Sequence, residues 1–283
     1  MTRSRIVVVG SGGFVGGAIA SRAERDGESV IRINRATVDL CSEDGAGRLA
    51  QVLRPEDRIV FAAAEAPCKS HDALTRNLAM ALTVIRAVAE VRVSYLLNVS
   101  SDAVYLDNPR PLTESSALGP ANLHGSMHCA REFLLRTVGL PLLHLRPTLI
   151  YGTGDPHNGY GPNQFLAFAR AGREIALFGH GEEQRDHVHI ADVADVAMRC
   201  LREQTTGALN VATGEVQSFR EIAERIVELF GGRVRVVERP RTGPMPHDGY
   251  RPISVDLLRD TFPDFEPVGV LTGLEREVGK NGA

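Results

Sequence analysis

The chain has 283 residues, 43% of them hydrophobic and 24% charged, with a formal net charge of −3. That is enough apolar material for one large or two modest domains, and the scattered basic residues form neither a stripe for nucleic acid nor a polybasic membrane patch. Four widely spaced cysteines (Cys41, Cys68, Cys129, Cys200) make no C-x-x-C pair and no metal-ligand spacing, as expected of reduced thiols in the cytoplasm, and no apolar run reaches membrane-spanning length.

In chain order, the first half alternates apolar strands with amphipathic helices. The strands are "RIVVV" (5–9), "SVIRI" (29–33), "RIVFAAA" (58–64), "VSYLLNVS" (93–100) and "LPLLHLR" (140–146). Helical patterns cover 14–26, 43–53, 72–90 and 124–138. Near-continuous apolar strands separated by helices predict a parallel sheet covered on both faces, a doubly wound α/β fold. Five glycines interrupt the N-terminal apolar run, which argues against a signal peptide. After Arg146 the texture changes. "PTLIYGTGDPHNGYGPNQ" has the Gly, Pro and Asn content of a loop. Helices are expected over 163–172 and 190–204, and a strand over 207–213. "SFREIAERIVELFGG" (218–232) opens with a capping box, Ser218 and Glu221, and ends on glycines.

Gly10, Gly13 and Gly16 form "GSGGFVG" between the first strand and the first helix. Such glycines permit a tight turn and let a pyrophosphate approach the helix N-terminus. Their G-x-x-G-x-x-G spacing resembles that of short-chain dehydrogenase/reductases, and Phe14 fits the extended branch, the nucleotide-sugar-modifying NAD-dependent epimerases and dehydratases. Further landmarks follow in order along almost the whole chain: "NVSSDAVY" (98–105), "PLTESSALGPANLHG", "RPTLIYG" (146–152), "LFGHGEEQRDHVHIADVADV" (177–196), "NVATGE" and "PISVDLLRD". The resemblance implies a Rossmann domain over 1–149 and 186–212, and a smaller, mixed substrate domain over 150–185 and 213–283. It implies an enzyme that acts on a sugar attached to a nucleotide diphosphate, held between the two domains. A homodimer is implied by the same analogy, and the scattered charges lead to the expectation of no nucleic-acid or membrane partner.

An acidic residue at the end of the second strand would hold the ribose hydroxyls of NAD. Here "RINRATVDL" places Asn34 and Arg35 there. A 2′-phosphate needs a cation and no carboxylate, so the expected cofactor is NADP(H), with Arg35 or Arg32 as phosphate partner. NAD, with merely solvated arginines, is the alternative. Asp39 and Leu40 resemble the family's adenine-contacting pair, and Ala62, Ala63 and Ala64 its small-residue segment beside the cofactor. The resemblance adds Asn77, Ser100, His128 and Pro147 as cofactor contacts.

The family's active-site helix carries Y-x-x-x-K, which puts both side chains on one face, one turn apart. Aligning its glycine with Gly125 of "NLHGSMHCARE" (122–132) puts His124 at the tyrosine position and His128 at the lysine position. Three readings follow. In the first the exchange works. A phenol with a pKa of about 10 needs a neighbouring cation to act at neutrality, whereas imidazole starts near about 6.5. His124 is then the acid/base, directly or through water, and His128 a neutral ribose partner. In the second, catalysis is lost and the protein is a silent nucleotide-binding sensor or partner. In the third, His at i and i+4 holds zinc, although no third ligand is identifiable. Ser101 keeps the family's serine position and would hydrogen-bond the reacting oxygen; Asp102 follows it. The family's 4,6-dehydratases continue with a glutamate where this chain has Ala103, so ketone reduction or epimerisation is expected instead. Lys69 is a candidate replacement cation or a solvated loop lysine. On the substrate side Asn163, Arg185 and Arg241 match segments that touch the diphosphate, and His187 and His189 stand where aromatic residues are usual.

Overall fold

The computed structural model describes residues 4–279. Its first half runs β1 (Ile6–Val9), α1 (Phe14–Arg25), β2 (Val30–Ile33), α2 (Gly45–Val52), β3 (Arg58–Phe61), α3 (His71–Val91), β4 (Tyr95–Val99), α4 (Leu123–Arg136) and β5 (Leu142–Pro147). The second half continues with β6 (Leu149–Tyr151), α5 (Pro162–Arg170), β7 (Ile175–Phe178), β8 (Gln184–Arg185), β9 (His187–His189), α6 (Ile190–Glu203) and β10 (Gly207–Val211). It closes with β11 (Gln217–Ser218), α7 (Phe219–Leu229), β12 (Val236–Arg239), β13 (Tyr250–Arg251), α8 (Asp256–Thr261) and α9 (Val270–Gly279). Two compact units result. One comprises 4–106, 114–147 and 193–210, the other 107–113, 148–192 and 211–279.

The first unit is an α/β unit around a six-stranded sheet in the order β10-β5-β4-β3-β1-β2. The pairings from β2 to β5 are parallel, for example Val8 against Val60 and Leu97 against Leu143. Every residue of β1 and β4 is buried, which is why these strands read as unbroken apolar runs rather than as alternations. Val7, Val9, Ile59, Phe61 and Leu96 pack with Leu49 of α2, Val84 and Val88 of α3, and Leu135 of α4. After β1 the chain crosses to β2 on one side and then to β3 on the other. The strand order therefore reverses between β1 and β3, and the loops leaving their carboxyl ends flank a crevice suited to a ligand.

The second unit is mixed. β11-β8-β13 form one small sheet, β12-β7 a parallel pair, and β6-β9 another. Its core gathers Phe165, Ile175, Leu177, Phe219, Ile222, Ile226 and Leu274. The capping box of α7 is formed, with Ser218 Oγ accepting from Glu221 N–H and the Glu221 carboxylate accepting from Ser218 N–H.

Two expectations need correction. The Gly- and Pro-rich stretch after Arg146 is not all loop, because Leu149–Tyr151 form β6 against β9. The domain spans also differ. Residues 186–192 belong with the second unit because β9 pairs with β6, and 107–113 belong there because Leu112 N–H donates to Pro252 O at 3.0 Å and Leu112 O accepts from Ser254 N–H at 3.0 Å. The terminal residues 1–3 and 280–283 of the expected spans lie outside the described residues. Among the described residues no helix is long and apolar enough to cross a membrane.

Candidate active site

The loop after β1 is built on glycine. Gly10 has φ +97°, and a Cβ there would stand 2.3 Å from the backbone nitrogen of Ala63. A Cβ on Gly16 would stand 2.3 Å from Gly10 O, so these two glycines let α1 and the β3 loop close on the turn. Gly13 caps α1 without a side-chain hydrogen bond, so no side chain covers its first amides. A cavity of about 730 Å³ opens here. Gly10, Gly13, Asn34, Arg35, Asp39, Leu40, Ala62, Ala63 and Ala64 all line it, so nine of the residues picked from sequence come together. The lining backbone, small side chains and uncapped helix fit a dinucleotide with its diphosphate on α1.

The structure sorts the cations beside this cavity. Arg32 is forked onto Glu24 (2.8 Å to each oxygen) and donates to Ser21, and it does not line the cavity, which removes it as a phosphate partner. Arg35 does line it; its side chain is 88% exposed and lies 3.5 Å from Asp39. Asn34 Oδ1 is occupied by the Ala36 and Thr37 amides at 2.9 and 3.2 Å. Two lining residues carry no sequence signal: Glu65 and Arg76, a forked ion pair at 2.6 and 2.7 Å formed across eleven positions. Phe14, half-buried, opens α1 beside the loop but does not line the cavity, and neither do Gly16, Asn77, Ser100, His128 or Pro147. Asn77 is spent internally. Its Oδ1 accepts from Glu65 N–H at 2.9 Å, and its Nδ2 donates to Glu65 O and Ala73 O, so it clamps the β3 loop. Ser100 likewise donates its hydroxyl to Glu132 at 2.6 Å, and Pro147 is buried at the end of β5.

Ser101 caps a short 3-10 turn (Asp102–Val104), with Oγ accepting from Ala103 N–H at 3.1 Å and standing 3.3 Å from Asp102 Oδ1. α4 is seated directly on that turn, since a Cβ on Gly125 would lie 2.1 Å from Ala103 O. Asn122 caps α4 by accepting from Gly125 N–H at 3.0 Å. His124 and His128 project one turn apart, their rings edge to face with centroids 4.7 Å apart. His124 is half-buried, and its Nδ1 faces the Cys68 amide at 3.4 Å. His128 is 6% exposed and its Nδ1 has no hydrogen-bond partner. Burial, then the Arg131 charge, then His124 push its pKa well below the ordinary value, so it is neutral at pH 7. Among the described residues no group of three His, Cys, Asp or Glu side chains is arranged for a metal, which leaves the zinc reading without a third ligand. Lys69 is exposed on the loop beside Cys68.

Beneath α4 lies a polar network that sequence reasoning missed. Glu132, fully buried, takes Arg146 Nε at 2.9 Å and Nη2 at 2.6 Å. Arg146 also donates to Tyr105, whose hydroxyl donates to Asn210 Oδ1 at 2.6 Å. Arg131 donates to Asn98, which meets His144 at 3.3 Å. Only buried polar letters inside apolar strands and a helix could have signalled it.

In the second unit Glu183 draws two arginines together, with Arg185 Nη1 at 3.4 Å and Arg241 Nη1 at 3.5 Å. Both Nε atoms are buried without a hydrogen-bond partner. His187 is buried against Phe219, and burial with the Arg185 charge lowers its pKa to about 3. Asn163 behaves differently. It accepts from Gly152 N–H at 2.9 Å and donates to Asp155 at 2.7 Å, so its amide holds its own loop.

A family model described as the NAD-dependent epimerase/dehydratase family matches residues 6–212. The chain is 32% identical over 178 residues to the dTDP-4-dehydro-6-deoxy-D-allose reductase of Streptomyces bikiniensis, over 60% of this chain and 49% of the relative, so it spans about half the length of that relative. It is 27% identical over 260 residues to the UDP-glucose 4-epimerase of Mycolicibacterium smegmatis, over 80% of this chain and 83% of the relative. Among solved structures, the UDP-glucose 4-epimerase of Thermus thermophilus in complex with NAD superimposes with a TM-score of 0.84 at 24% identity, over 99% of this chain and 100% of that one, a likeness of fold. The glycine loop at the β1/β3 reversal, the serine turn under α4 and a family match over most of the chain lead to one conclusion: this chain belongs to the NAD-dependent epimerase/dehydratase family.

Proposed function

We propose that the protein is an NADP(H)-preferring oxidoreductase or epimerase acting on a keto sugar carried by a nucleoside diphosphate, with His124 in the place of the usual phenol. One observation carries this reading. Gly125 presses the first turn of α4 onto the Ser101 turn, so the exchanged helix is still docked against the serine as a working site requires. Gly10, Gly13 and the first turn of α1 would hold the diphosphate of the cofactor, Asp39 and Leu40 its adenine, and Arg35 a 2′-phosphate, with NAD as the weaker ligand. The bound nicotinamide would supply or accept the hydride. Ser101 and His124 would hydrogen-bond the substrate oxygen, and Arg185 and Arg241 would bind the sugar-nucleotide diphosphate through planar, permanently charged groups. Half-exposed Leu82 on α3 and Phe133 on α4, 40% and 56% accessible, support a homodimer through these helices.

The test is turnover of NADPH against a panel of nucleotide-linked keto sugars, and interconversion of nucleotide sugars with bound cofactor. Activity is expected, with a loss of about 100-fold or more in kcat for His124→Ala and at least about 10-fold for Ser101→Ala. Tight cofactor binding with no turnover, and a His124→Ala protein indistinguishable from the parent, would establish the silent nucleotide binder instead.

A further inference from the structure

Two arginines of the second unit meet on one carboxylate. Glu183, 4% exposed, stands just before β8, and the extended chain carries it and Arg185 to the same side. Arg241 arrives from the segment after β12. Each guanidinium touches a different oxygen, with Arg185 Nη1 3.4 Å from Oε1 and Arg241 Nη1 3.5 Å from Oε2. Both arginine side chains are largely buried, and both Nε atoms are without a hydrogen-bond partner. Among the described residues Glu183 is the one carboxylate that either arginine pairs with. Its neighbour Glu182 is spent on the His180 amide at 2.8 Å, and His187 is neutral. Two guanidinium charges thus face one carboxylate charge in a place largely shut off from water, an arrangement that costs stability unless something further binds there.

The form of these contacts separates them from the lasting ion pairs of the chain. Arg5 grips Asp57 through two nitrogens at 2.9 and 2.7 Å, and Arg146 grips Glu132 at 2.9 and 2.6 Å. Such forks use the planar match of guanidinium and carboxylate in full. Glu183 gives each arginine a single contact at the long limit of hydrogen bonding and leaves donors of both unmet. The surroundings are fixed. Glu183 O accepts from Phe219 N–H at 3.1 Å, Gln184 is paired with Ser218 and Tyr250, and Arg241 Nη2 donates to Phe178 O at 3.3 Å. The Glu183 carboxylate sits at the end of several rotatable bonds and is the part that can turn away. A diphosphate carries more acceptor oxygens than one carboxylate and satisfies donors that Glu183 leaves unmet.

We propose that Glu183 is the resident counter-ion of the substrate-phosphate site: it holds Arg185 and Arg241 facing each other in the empty enzyme and is displaced from them when the phosphates of the nucleotide sugar bind. This rests on the reading of Arg185 and Arg241 as the diphosphate ligands. Glu183 is then a positioning residue that also sets affinity. The incoming anion must replace the Glu183 contacts, and the displaced carboxylate still repels it, so binding is weaker than two free guanidiniums would give. Reduction and epimerisation both leave the diphosphate unchanged, so it is held alike in substrate, transition state and product. Tighter binding at such a place lowers KM without raising kcat and slows the departure of product. The carboxylate keeps that grip reversible.

Calorimetric titration with inorganic pyrophosphate tests this, using protein saturated with NADP+ so that the cofactor's own diphosphate fills the glycine loop. Glu183→Gln should bind pyrophosphate about 10-fold more tightly than the parent at equal ionic strength. Glu183→Asp, which keeps the charge, should return most of the difference, and Arg185→Ala should weaken binding by about 10-fold or more. With a nucleotide sugar that the enzyme turns over, Glu183→Gln should lower KM by about the same factor as it lowers the pyrophosphate Kd, and kcat should not rise. A carboxylate that merely locked the arginines in place predicts the opposite sign, weaker binding in the glutamine variant. That result, or an unchanged affinity, overturns the proposal. If the variants do not fold, the parent decides. Its crystal structure with NADP+ and pyrophosphate should show both guanidiniums on phosphate oxygens and the Glu183 carboxylate off them, and a carboxylate still bridging the two arginines overturns the proposal. Tighter pyrophosphate binding in Glu183→Gln with no turnover of any nucleotide-linked keto sugar keeps the counter-ion and overturns the functional reading. Turnover that depends on Arg185, with pyrophosphate affinity unmoved by Glu183→Gln, does the reverse.

Discussion

Arg35 and Arg32 show how side chains three positions apart in one segment acquire different fates. Both are arginines near the end of β2, and the sequence alone offers either as the partner of a 2′-phosphate. The structure ties Arg32 to Glu24 of α1 and leaves Arg35 over the cavity with one loose carboxylate neighbour. A charge-assisted hydrogen bond to a phosphate is worth about 1.5–3 kcal/mol. Arg35→Ala should therefore weaken NADP+ binding by about 10- to 100-fold and change NAD+ binding by less than about 2-fold, as read by calorimetric titration. Equal losses for both dinucleotides would show that Arg35 does not select between them. The absence of a carboxylate at position 34 was legible in the letters. The retirement of Arg32 was not, because its acceptor belongs to a helix eight residues earlier. Asn77, Ser100 and Asn163 carry the same lesson, since their polar groups are taken up by protein partners that only folding brings near.

At the scale of elements, the site depends on how α4 lies on the serine turn. Gly125 is required there because a methyl group would collide with the Ala103 carbonyl at 2.1 Å, and that carbonyl is backbone that cannot swing aside. Gly125→Ala should destabilise the protein by about 1–3 kcal/mol and displace His124. Gly47, exposed within α2 with nothing within 4 Å of an added Cβ, offers the contrast. Gly47→Ala should stabilise by about 0.4–1 kcal/mol, since it removes unfolded-state freedom without a clash. Urea unfolding of both variants checks the pair, and equal effects would mean that the helix does not bear on the turn. Long elements were legible: the apolar runs of β1 to β5, the helix α3 and the capping box of α7 follow local rules of burial, periodicity and capping. The short strands β6, β8, β9, β11 and β13 were not. Two or three residues hold no periodicity, and each becomes a strand only when a distant segment supplies its hydrogen bonds.

Across the whole molecule, buried histidines set the response to acid. His128, His144 and His187 are all held neutral by burial, His144 with a pKa lowered to about 4 and His187 to about 3. A folded pKa below the unfolded value of about 6.5 means that the unfolded chain binds protons first as pH falls. The stability these residues support is therefore complete above about pH 6.5 and drains away below it. At about pH 5 His144 and His187 should each have cost about 2 kcal/mol. Urea titrations at about pH 7.5 and pH 5 should show this loss, and His187→Phe, which keeps a ring against Phe219, should remove its share. An unchanged pH difference in that variant would mean that His187 is not neutral in the folded protein. The sequence by itself determined the α/β class, the glycine loop, the place of the Ser101 turn and the spacing that sets His124 and His128 one turn apart on α4. Each of these is written in residues adjacent along the chain, where sterics, periodicity and capping act locally. Only the tertiary structure decided which arginine overhangs the cavity, which polar side chains are already spent, and that Arg131 is buried on Asn98 and the Phe61 ring. Those outcomes depend on desolvation and on partners tens of residues away, and neither is a property of a local run of letters.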